Sequence, residues 1–336
     1  MTNGQQEKTV YELAREFTDF LNKWHSYREP YDDDLDAWLY EEYAKIKRKR
    51  NYIDWDTLYF SPSSANKDDR ELYVKAIGMP RDEEDLKPWQ RRWAGLGTAV
   101  GDWLQREILL AERHYEKYTL EKPPFVMART AEGQPFFEDF VHGQYFFEHN
   151  GERFSIVGTC DGVLIHQPTG RRIGLEIKSK QTSYSETGYS RMAAPSPDHV
   201  AQVTCYSLMY DVDEYFIVYV NTAKKAWFMD DDEFQNSPDI RVFGVEITDK
   251  MKRQVLDKFA GVAKAVREQK PPKLDLEKFR FNNFKQSCAL SLTDEEFAEL
   301  KDFVKRALKS RIPNWKKELY YEAFTFIRDV REGGAE

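Results

Sequence analysis

Two acidic residues and a lysine stand out as side chains that could do chemistry together. Asp161 precedes an apolar stretch, and Glu176 and Lys178 end a second apolar stretch about fifteen residues later. Carboxylate oxygens are preferred ligands of Mg²⁺ and Mn²⁺, and an ammonium group can stabilise negative charge that develops nearby. A divalent cation can also polarise a phosphoryl oxygen and lower the pKa of a water molecule. The chemistry open to these three side chains is therefore metal-assisted hydrolysis of a phosphate ester.

Two strands must position these residues. The apolar pattern predicts one strand over residues 159–166 and another over residues 173–178. Residues 168–170 between them, Pro-Thr-Gly, are typical of a turn. If the two strands pair antiparallel around this turn, Asp161 lies beside Glu176.

The alternation of side chains along a strand decides which groups face one another. Glu176 and Lys178 share one face, while Ile177 points to the opposite, apolar side. Charged residues at strand ends are usually only solvated, and an E-x-K triplet occurs often by chance. The functional interpretation therefore depends on Asp161, upstream of the turn.

The other patterns place this pair of strands inside a larger fold. They predict helices over residues 8–50 (with a break near Pro30), 67 onwards, 89–118, 198–210, 249–269 and 293–327 (with a break at Pro313), and strands over 144–148, 153–157 and 215–220. This order indicates an α/β (α+β) fold, with a mixed β-sheet core flanked by helices and with helical N- and C-terminal extensions. We expect three regions: a helical N-terminal region (residues 1–88), the sheet-containing core (89–230) and a mainly helical C-terminal region (231–336).

The order of these motifs resembles a known family. Asp161 followed by Glu176-Ile177-Lys178 is similar to the D…(D/E)-x-K core of the PD-(D/E)xK nuclease superfamily. Downstream, Gln202 and Tyr206 resemble the Q-x-x-x-Y helix motif of the RecB-type and phage exonuclease-like branch, and their spacing places them on one helix face. The resemblance covers residues 95–225 and implies a restriction-endonuclease-like core.

The resemblance also implies a function. The residues that it assigns to a nuclease centre are Asp161, Glu176, Ile177, Lys178, Gln202 and Tyr206. Asp161, Glu176 and the carbonyl of Ile177 would hold Mg²⁺ or Mn²⁺, and Lys178 would position the water or stabilise charge. The implied activity is metal-dependent hydrolysis of DNA by an ATP-independent exonuclease of recombination, repair or phage replication.

The long helix over residues 89–118 departs from the family pattern. Gly101 stands where related nucleases have a histidine, and Gln105 stands where others have a glutamate. Gln105 shares a helix face with Leu104, whereas Glu107 is rotated by about 100° or more from that face. Gln105 is therefore the predicted site-facing residue, and Glu107 is the alternative.

A nuclease must also hold a polyanion. The candidate DNA contacts are Lys180, Arg191, Arg70 and Tyr184, with Arg91, Arg92, the basic run 45–50 and the loop residue Tyr189 as further candidates. Lys180 is the strongest, because it has the same strand phase as Lys178. The formal net charge of −8 excludes a uniformly basic DNA coat but allows a local basic groove.

The sequence lacks features that iron–sulfur proteins and membrane proteins need. Three separated cysteines cannot supply the roughly four thiolates of a standard iron–sulfur cluster, so no cluster is expected. No apolar run reaches the roughly 18 residues of a membrane helix, and residues 1–17 have no apolar leader. We therefore expect a cytoplasmic protein, and the resemblance to the nuclease family implies a bacterial or phage-infected cell.

Two rival functions remain open. The first is a structure-selective or sequence-selective endonuclease. The second is a catalytically degenerate module that binds DNA without cutting it, which the changes at Gly101 and Gln105 motivate. Expected partners are single-stranded or double-stranded DNA ends, and also further copies of the chain or a single-strand-annealing protein.

Overall fold

The structure is a computed structural model, and it describes residues 8–49, 52–224 and 226–333 of the 336-residue chain. Arg50, the last residue of the basic run, lies outside the described residues. The chain forms two compact units. The first comprises the described parts of residues 1–54, 86–145 and 156–253, and the second those of residues 55–85, 146–155 and 254–336.

Helices and strands are interspersed along the chain, and the strands form two sheets. The helices are α1 (Val10–His25), α2 (Asp33–Arg48), α3 (Asp69–Ala76), α4 (Pro88–Thr119), α5 (Glu138–Val141), α6 (Pro197–Tyr210), α7 (Asp231–Asn236), α8 (Asp249–Glu268), α9 (Lys285–Leu290), α10 (Asp294–Lys309) and α11 (Asn314–Arg331). The strands are β1 (Tyr59–Phe60), β2 (Phe125–Met127), β3 (Gly143–His149), β4 (Glu152–Gly158), β5 (Gly162–His166), β6 (Arg171–Lys180), β7 (Glu214–Asn221) and β8 (Ile240–Glu246).

The first unit is organised around a five-stranded sheet of order β2-β5-β6-β7-β8. β6 and β7 run parallel, and the other neighbouring pairs are antiparallel. Parallel neighbours need a crossover connection, which α6 provides between β6 and β7. The sheet is therefore mixed, as predicted.

Helices cover this sheet with apolar side chains. Phe17 of α1 stacks on Phe216 of β7 with ring centres 5.1 Å apart, and Ile108 of α4 is fully buried in the same core. Gly244 of β8 permits close packing, because a Cβ there would lie 2.4 Å from the carbonyl oxygen of Val10. These contacts hold α1 on β7 and β8, while α4 packs against β6, the strand that carries Glu176.

The second unit combines short helices with aromatic packing around strand β1. The ring of Phe60 stacks on Phe259 of α8 with centres 4.2 Å apart, and Phe154 of β4 meets both rings edge-on. The three-stranded sheet has the order β1-β4-β3.

Most predicted elements are confirmed, with three corrections. The predicted strands 144–148 and 153–157 form a hairpin, whose turn residues Asn150 and Gly151 both have positive φ (51° and 77°). However, it pairs with β1 instead of joining the sheet of β5 and β6. The helix predicted from Lys67 begins at Asp69, because the Asp68 carboxylate caps it by accepting from the N–H of Glu71. The short strand β2 and the edge strand β8 were not predicted.

The fold class is confirmed: a mixed β-sheet core with helices packed around it. Within the described residues, no helix has both the length and the apolar character needed to cross a membrane.

Candidate active site

Asp161, Glu176 and Lys178 come together at one end of the β5–β6 pair. The antiparallel register pairs Gly162 with Leu175, so Asp161 is placed beside the next residue of β6, Glu176. Asp161 Oδ2 accepts a hydrogen bond from the N–H of Ile177 at 2.5 Å. Lys178 Nζ forms an ion pair with Glu176 Oε1. The predicted juxtaposition is therefore present.

The cluster has more acidic groups than basic ones, and its burial makes the ionised carboxylates unfavourable. Burial, together with the charge of Glu176, raises the pKa of Asp161. Burial also raises the pKa of Glu176, whose side chain is 1% exposed, although Lys178 opposes the shift. Burial disfavours the ammonium of Lys178, but Glu176 outweighs that effect and raises the lysine pKa. One ammonium therefore does not neutralise the cluster.

A third carboxyl group belongs to the site and was missed from the sequence. Glu138, the first residue of α5, hydrogen-bonds to Asp161, and burial and the Asp161 charge raise the Glu138 pKa to about 7. Asp139 and Asp102 add to the same shift. The only local signal is an acidic pair after two phenylalanines, and its spacing from Asp161 indicates nothing by itself.

Helix α4 contributes Gln105 rather than Glu107. The Gln105 side chain is 2% exposed, and its Nε2 donates to the carbonyl oxygen of Asp161 at 2.7 Å. Glu107 faces α1, where it accepts from Trp24 Nε1 at 2.8 Å. The structure therefore brings Gln105, and not Glu107, to Asp161, where Gln105 contacts the backbone and not the carboxylate.

Helix α6 brings a hydrogen-bonded pair to the same region. Gln202 Nε2 donates to the hydroxyl oxygen of Tyr206 at 2.8 Å, across one helical turn. Burial and the charges of Glu176 and Asp161 raise the pKa of Tyr206. The Tyr206 phenol is therefore close enough for the charges of the two carboxylates to affect it.

Lys180 extends the basic side of β6. Its Nζ lies 3.5 Å from a carboxylate oxygen of Glu186 and 5.4 Å from the ring centre of Tyr219. The side chain stays partly exposed. Lys180 is thus positioned two residues beyond Lys178, as the strand phase predicts.

The loop after β6 carries the other two candidates from this region. Tyr184 is 40% exposed, and Arg191 is exposed as well. Asn221, at the end of β7, anchors the loop: its buried Nδ2 donates to the carbonyl oxygens of Ser183 (2.9 Å) and Tyr184 (3.0 Å). Asn221 is a positioning residue that the sequence did not reveal.

Arg70 does not join these candidates. Its side chain is fully buried in the second unit, where Nη1 donates to the carbonyl oxygen of Ser291 at 2.8 Å and Nη2 pairs with Glu296. Nε donates to the carbonyl oxygen of Pro272. A buried guanidinium that is bonded in this way cannot contact a phosphate at the protein surface. Arg70 therefore stabilises the second unit.

The donor set fits a divalent cation. Among the described residues, no group of three or more His, Cys, Asp or Glu side chains has metal-ligand geometry. However, Glu176 Oε2 is buried without a hydrogen-bond partner, which is costly for a carboxylate. Mg²⁺ commonly uses one or two carboxylates and keeps several waters. Asp161, Glu176 and the Ile177 carbonyl would suit such an ion, since the Ile177 N–H already faces Asp161.

Comparisons with known proteins find structural likeness only. No protein-family model matches the chain, and no curated protein sequence matches it. Among solved structures, the protein SSO0001 is 12% identical, with a TM-score of 0.39 and coverage of 77% of this chain and 98% of its own. The alkaline exonuclease LHK-Exo from Laribacter hongkongensis (14% identity, TM-score 0.34) covers 63% of this chain and 91% of its own. A phage related exonuclease from Haemophilus somnus 129PT (14% identity, TM-score 0.35) covers 63% and 95%. At these values the likeness concerns the fold, and a function must be argued from the site residues.

Proposed function

We propose that this protein is a nuclease that hydrolyses DNA phosphodiester bonds with Mg²⁺ or Mn²⁺. The observation that carries the proposal is the pair of carboxylates Asp161 and Glu176 at adjacent strand ends, with Lys178 beside them and Glu176 Oε2 unpartnered. A buried carboxylate oxygen without a partner is costly. A site that binds a cation and a phosphate explains that oxygen.

The residues of the proposed site have different roles in the reaction. Asp161, Glu176 and the Ile177 carbonyl would hold the cation, which when bound supplies Lewis-acid stabilisation of the phosphoryl oxygens. Lys178 remains an ammonium beside Glu176, so it donates hydrogen bonds and positive charge to the phosphate or the attacking water. Glu138 adds a third carboxyl group that adjoins Asp161.

Other residues hold this geometry. Gln105 ties the backbone of Asp161 to helix α4, and Gln202 orients the Tyr206 hydroxyl. A cavity of about 390 Å³ adjoins Glu138 and is lined also by Lys47 and Lys49 of the basic run. This cavity provides room and positive charge for a strand approaching the carboxylates.

Exonucleolytic digestion is the expected mode, on the strength of the motif order from Asp161 to Tyr206. The two rivals predict different products. A structure-selective endonuclease would cut circular DNA as fast as it erodes linear DNA. A degenerate module would bind DNA and release no nucleotides with either cation.

The decisive experiment follows end-labelled linear DNA and circular DNA with Mg²⁺, Mn²⁺ or EDTA. Wild type should release nucleotides from linear DNA only when the cation is present. Asp161→Asn and Lys178→Ala should each lower the rate by about 100-fold or more, because each removes charge that acts in the transition state. A matched control is Lys252→Ala, which removes another partly buried lysine paired to Asp213 at 2.6 Å.

The control should stay within about twofold of wild type. Equal rates for wild type, Asp161→Asn and Lys178→Ala would mean that another site or a contaminant cuts the DNA, and the proposal would be abandoned. Loss of activity in Lys252→Ala as well would point to general destabilisation.

A further inference from the structure

One face of the five-stranded sheet carries both the proposed site and helix α6, which packs on β6 and β7. Lys178 of β6 is paired with Tyr219 of β7 in the strand register, and paired residues of neighbouring strands point to the same face. Lys180, two residues further along β6, has its Nζ 5.4 Å from the ring centre of Tyr219. The end of β6 therefore places two lysines next to one buried tyrosine.

The first turn of α6 adds a histidine to this group. His199 is the third residue of the helix, and its ring centre lies 5.5 Å from that of Tyr219. Burial lowers the pKa of His199 to about 4, the charges of Lys178 and Lys180 contribute to this shift, and Asp198 opposes it. The imidazole is therefore neutral near pH 7, and it lies close to both ammonium groups.

Hydrogen bonds at the Tyr219 hydroxyl fix the tautomer of His199. The backbone N–H of Ser196 donates to the hydroxyl oxygen at 2.9 Å, and His199 Nδ1 lies 2.8 Å from the same oxygen. Burial raises the pKa of Tyr219 to about 12, so the hydroxyl keeps its proton. Within the described residues only His199 Nδ1 is placed to accept that proton, because a backbone N–H can only donate. Nδ1 is therefore the acceptor, and Nε2 carries the imidazole proton.

The Nε2–H group is left open to an incoming ligand. It makes no hydrogen bond within the part of the chain that the structure describes. His199 is half-buried, and Nε2 differs from the buried, unpartnered Nε2 atoms of His25 and His166 because solvent reaches it. The bond to Tyr219 holds the ring in place, so Nε2–H is an oriented donor.

A phosphate is the ligand that this group of side chains suits. Lys178 and Lys180 supply positive charge, but each also lies beside a carboxylate, Glu176 or Glu186. The N–H of His199 has no such acidic partner and donates in one direction. An oriented donor next to ammonium groups is an arrangement that stabilises the oxygens of a phosphate.

Two other roles for His199 account for less of this geometry. A purely structural link between α6 and β7 needs only the Nδ1 bond to Tyr219 and gives Nε2 nothing to do. A general acid or base must change protonation near the working pH, and a pKa of about 4 is too low for that.

We propose that His199 is a further substrate-binding residue, whose Nε2–H donates to a non-bridging oxygen of the phosphate that Lys178 contacts. Tyr219 is the positioning residue that sets the tautomer. This inference rests on the proposed nuclease function and adds to that site a neutral donor from α6.

Two amides of different length test the contact. The amide of His199→Gln lies near the place of Nε2 and can still donate to the phosphate, whereas the amide of His199→Asn lies near the place of Nδ1 and reaches only Tyr219. Cleavage of linear DNA with Mn²⁺ should fall at least about tenfold in His199→Asn and stay within about threefold in His199→Gln. His199→Ala, a second variant without the donor, should resemble His199→Asn. The matched control is His149→Asn in the second unit, which loses a bond to Asp257 and should cleave as wild type does.

A structural role predicts the opposite order of the two amides. If His199 only joined α6 to β7, His199→Asn would keep that bond and cleave better than His199→Gln. That order, or equal rates for wild type, His199→Asn and His199→Ala, would overturn the inference.

Tyr219→Phe tests the tautomer through a coupling. It should lower the cleavage rate about threefold in the wild-type background, because the imidazole is then free to place its proton on Nδ1. It should change nothing in the His199→Gln background, because an amide has no tautomer to set. Equal losses in both backgrounds would mean that the Tyr219 hydroxyl supports the fold and not the donor.

Two measurements on the full chain need no cleavage. Two-bond ¹H–¹⁵N correlation spectra near pH 7, with the His199 signals assigned by their absence in His199→Gln, should show the Nε2–H tautomer, and an Nδ1–H tautomer would overturn the inference. Anisotropy of a labelled oligo(dT) in EDTA should show about tenfold weaker affinity for His199→Asn than for His199→Gln. Equal affinities would also contradict the phosphate contact.

The two proposals can fail separately. If wild type cleaves no DNA with Mg²⁺ or Mn²⁺ but His199→Asn loses oligo(dT) affinity, the nuclease function fails and the phosphate contact stands. If wild type cleaves DNA and His199→Asn cleaves and binds unchanged, only the His199 contact fails.

Discussion

Glu138 and Asp161 lie with their carboxyl groups hydrogen-bonded to each other, although one begins the short helix α5 and the other precedes strand β5. Burial and mutual repulsion disfavour two negative charges here and raise the pKa of both carboxyl groups. A divalent cation would relieve the same repulsion. The contact therefore places the Glu138 carboxyl group next to Asp161, at the border of the proposed metal site.

Glu138→Gln should weaken the binding of the cation that cleavage requires. Half-maximal activity should need about tenfold more Mn²⁺, because an amide carries no charge to attract the ion. The measurement is a Mn²⁺ titration of nuclease rate, with Glu132→Gln, an exposed residue six positions earlier, as the control. An unchanged titration curve would remove Glu138 from the site.

Asp161→Asn should stabilise the cation-free protein while abolishing activity. The amide oxygen can still accept from the N–H of Ile177, and the substitution removes a negative charge next to Glu176 and Glu138. We expect the free energy of unfolding in EDTA to rise by about 1 kcal/mol. Added Mg²⁺ should raise the thermal midpoint of wild type but not of the variant. A lower midpoint of the variant in EDTA would contradict the proposed repulsion.

Gln105→Leu tests the link between α4 and the acidic strand. Loss of the 2.7 Å hydrogen bond leaves the carbonyl of Asp161 without this donor, which should cost about 1–2 kcal/mol of stability. Cleavage should fall about tenfold, because Asp161 is held less firmly. Glu107→Gln keeps an acceptor for Trp24 and should leave the cleavage rate unchanged. The reverse pattern would make Glu107 the site residue of α4.

Arg70→Ala should affect folding and not nucleic-acid binding. The change leaves Glu296 and the carbonyl of Ser291 without their buried partner, and should cost about 3–4 kcal/mol in urea unfolding of the second unit. Arg70→Lys should recover only part of this loss, since an ammonium cannot make the same fork of bonds. Weaker oligo(dT) binding by a protein that remains folded would contradict the structural role.

His199 should make the protein sensitive to acid. Burial, and then the charges of Lys178 and Lys180, lower the pKa of His199 to about 4, against about 6.5 in the unfolded chain. The unfolded state therefore binds a proton first, so stability is complete above pH 6.5 and is lost as pH falls towards 4. A pKa change of this size corresponds to about 3 kcal/mol, which solvent screening of the partly exposed ring reduces to about 2 kcal/mol. Unfolding curves at pH 7.5, 6 and 5 should show a smaller acid loss in His199→Gln than in wild type, and equal losses would contradict the shift.

Local patterns determined much of the site. The distance from Asp161 to Glu176 spans one short turn, so antiparallel pairing of neighbouring strands brings the two together without distant contacts. Alternation along β6 then places Lys178 beside Glu176, and the rotation of α4 selects Gln105 over Glu107. Each of these placements depends on the geometry of a single element or hairpin.

Tertiary packing decided the rest. Glu138 reaches Asp161 because α5 lies beside the residues that precede β5, where Thr159 donates to the carbonyl oxygen of Glu138 at 2.9 Å, and no spacing in the sequence relates the two. Arg70 resembles a surface arginine in sequence, but contacts with residues more than 200 positions away bury it. The edge strand β8 also depends on which strands pair in the folded sheet. Such contacts join residues far apart along the chain, and local propensities carry no information about them.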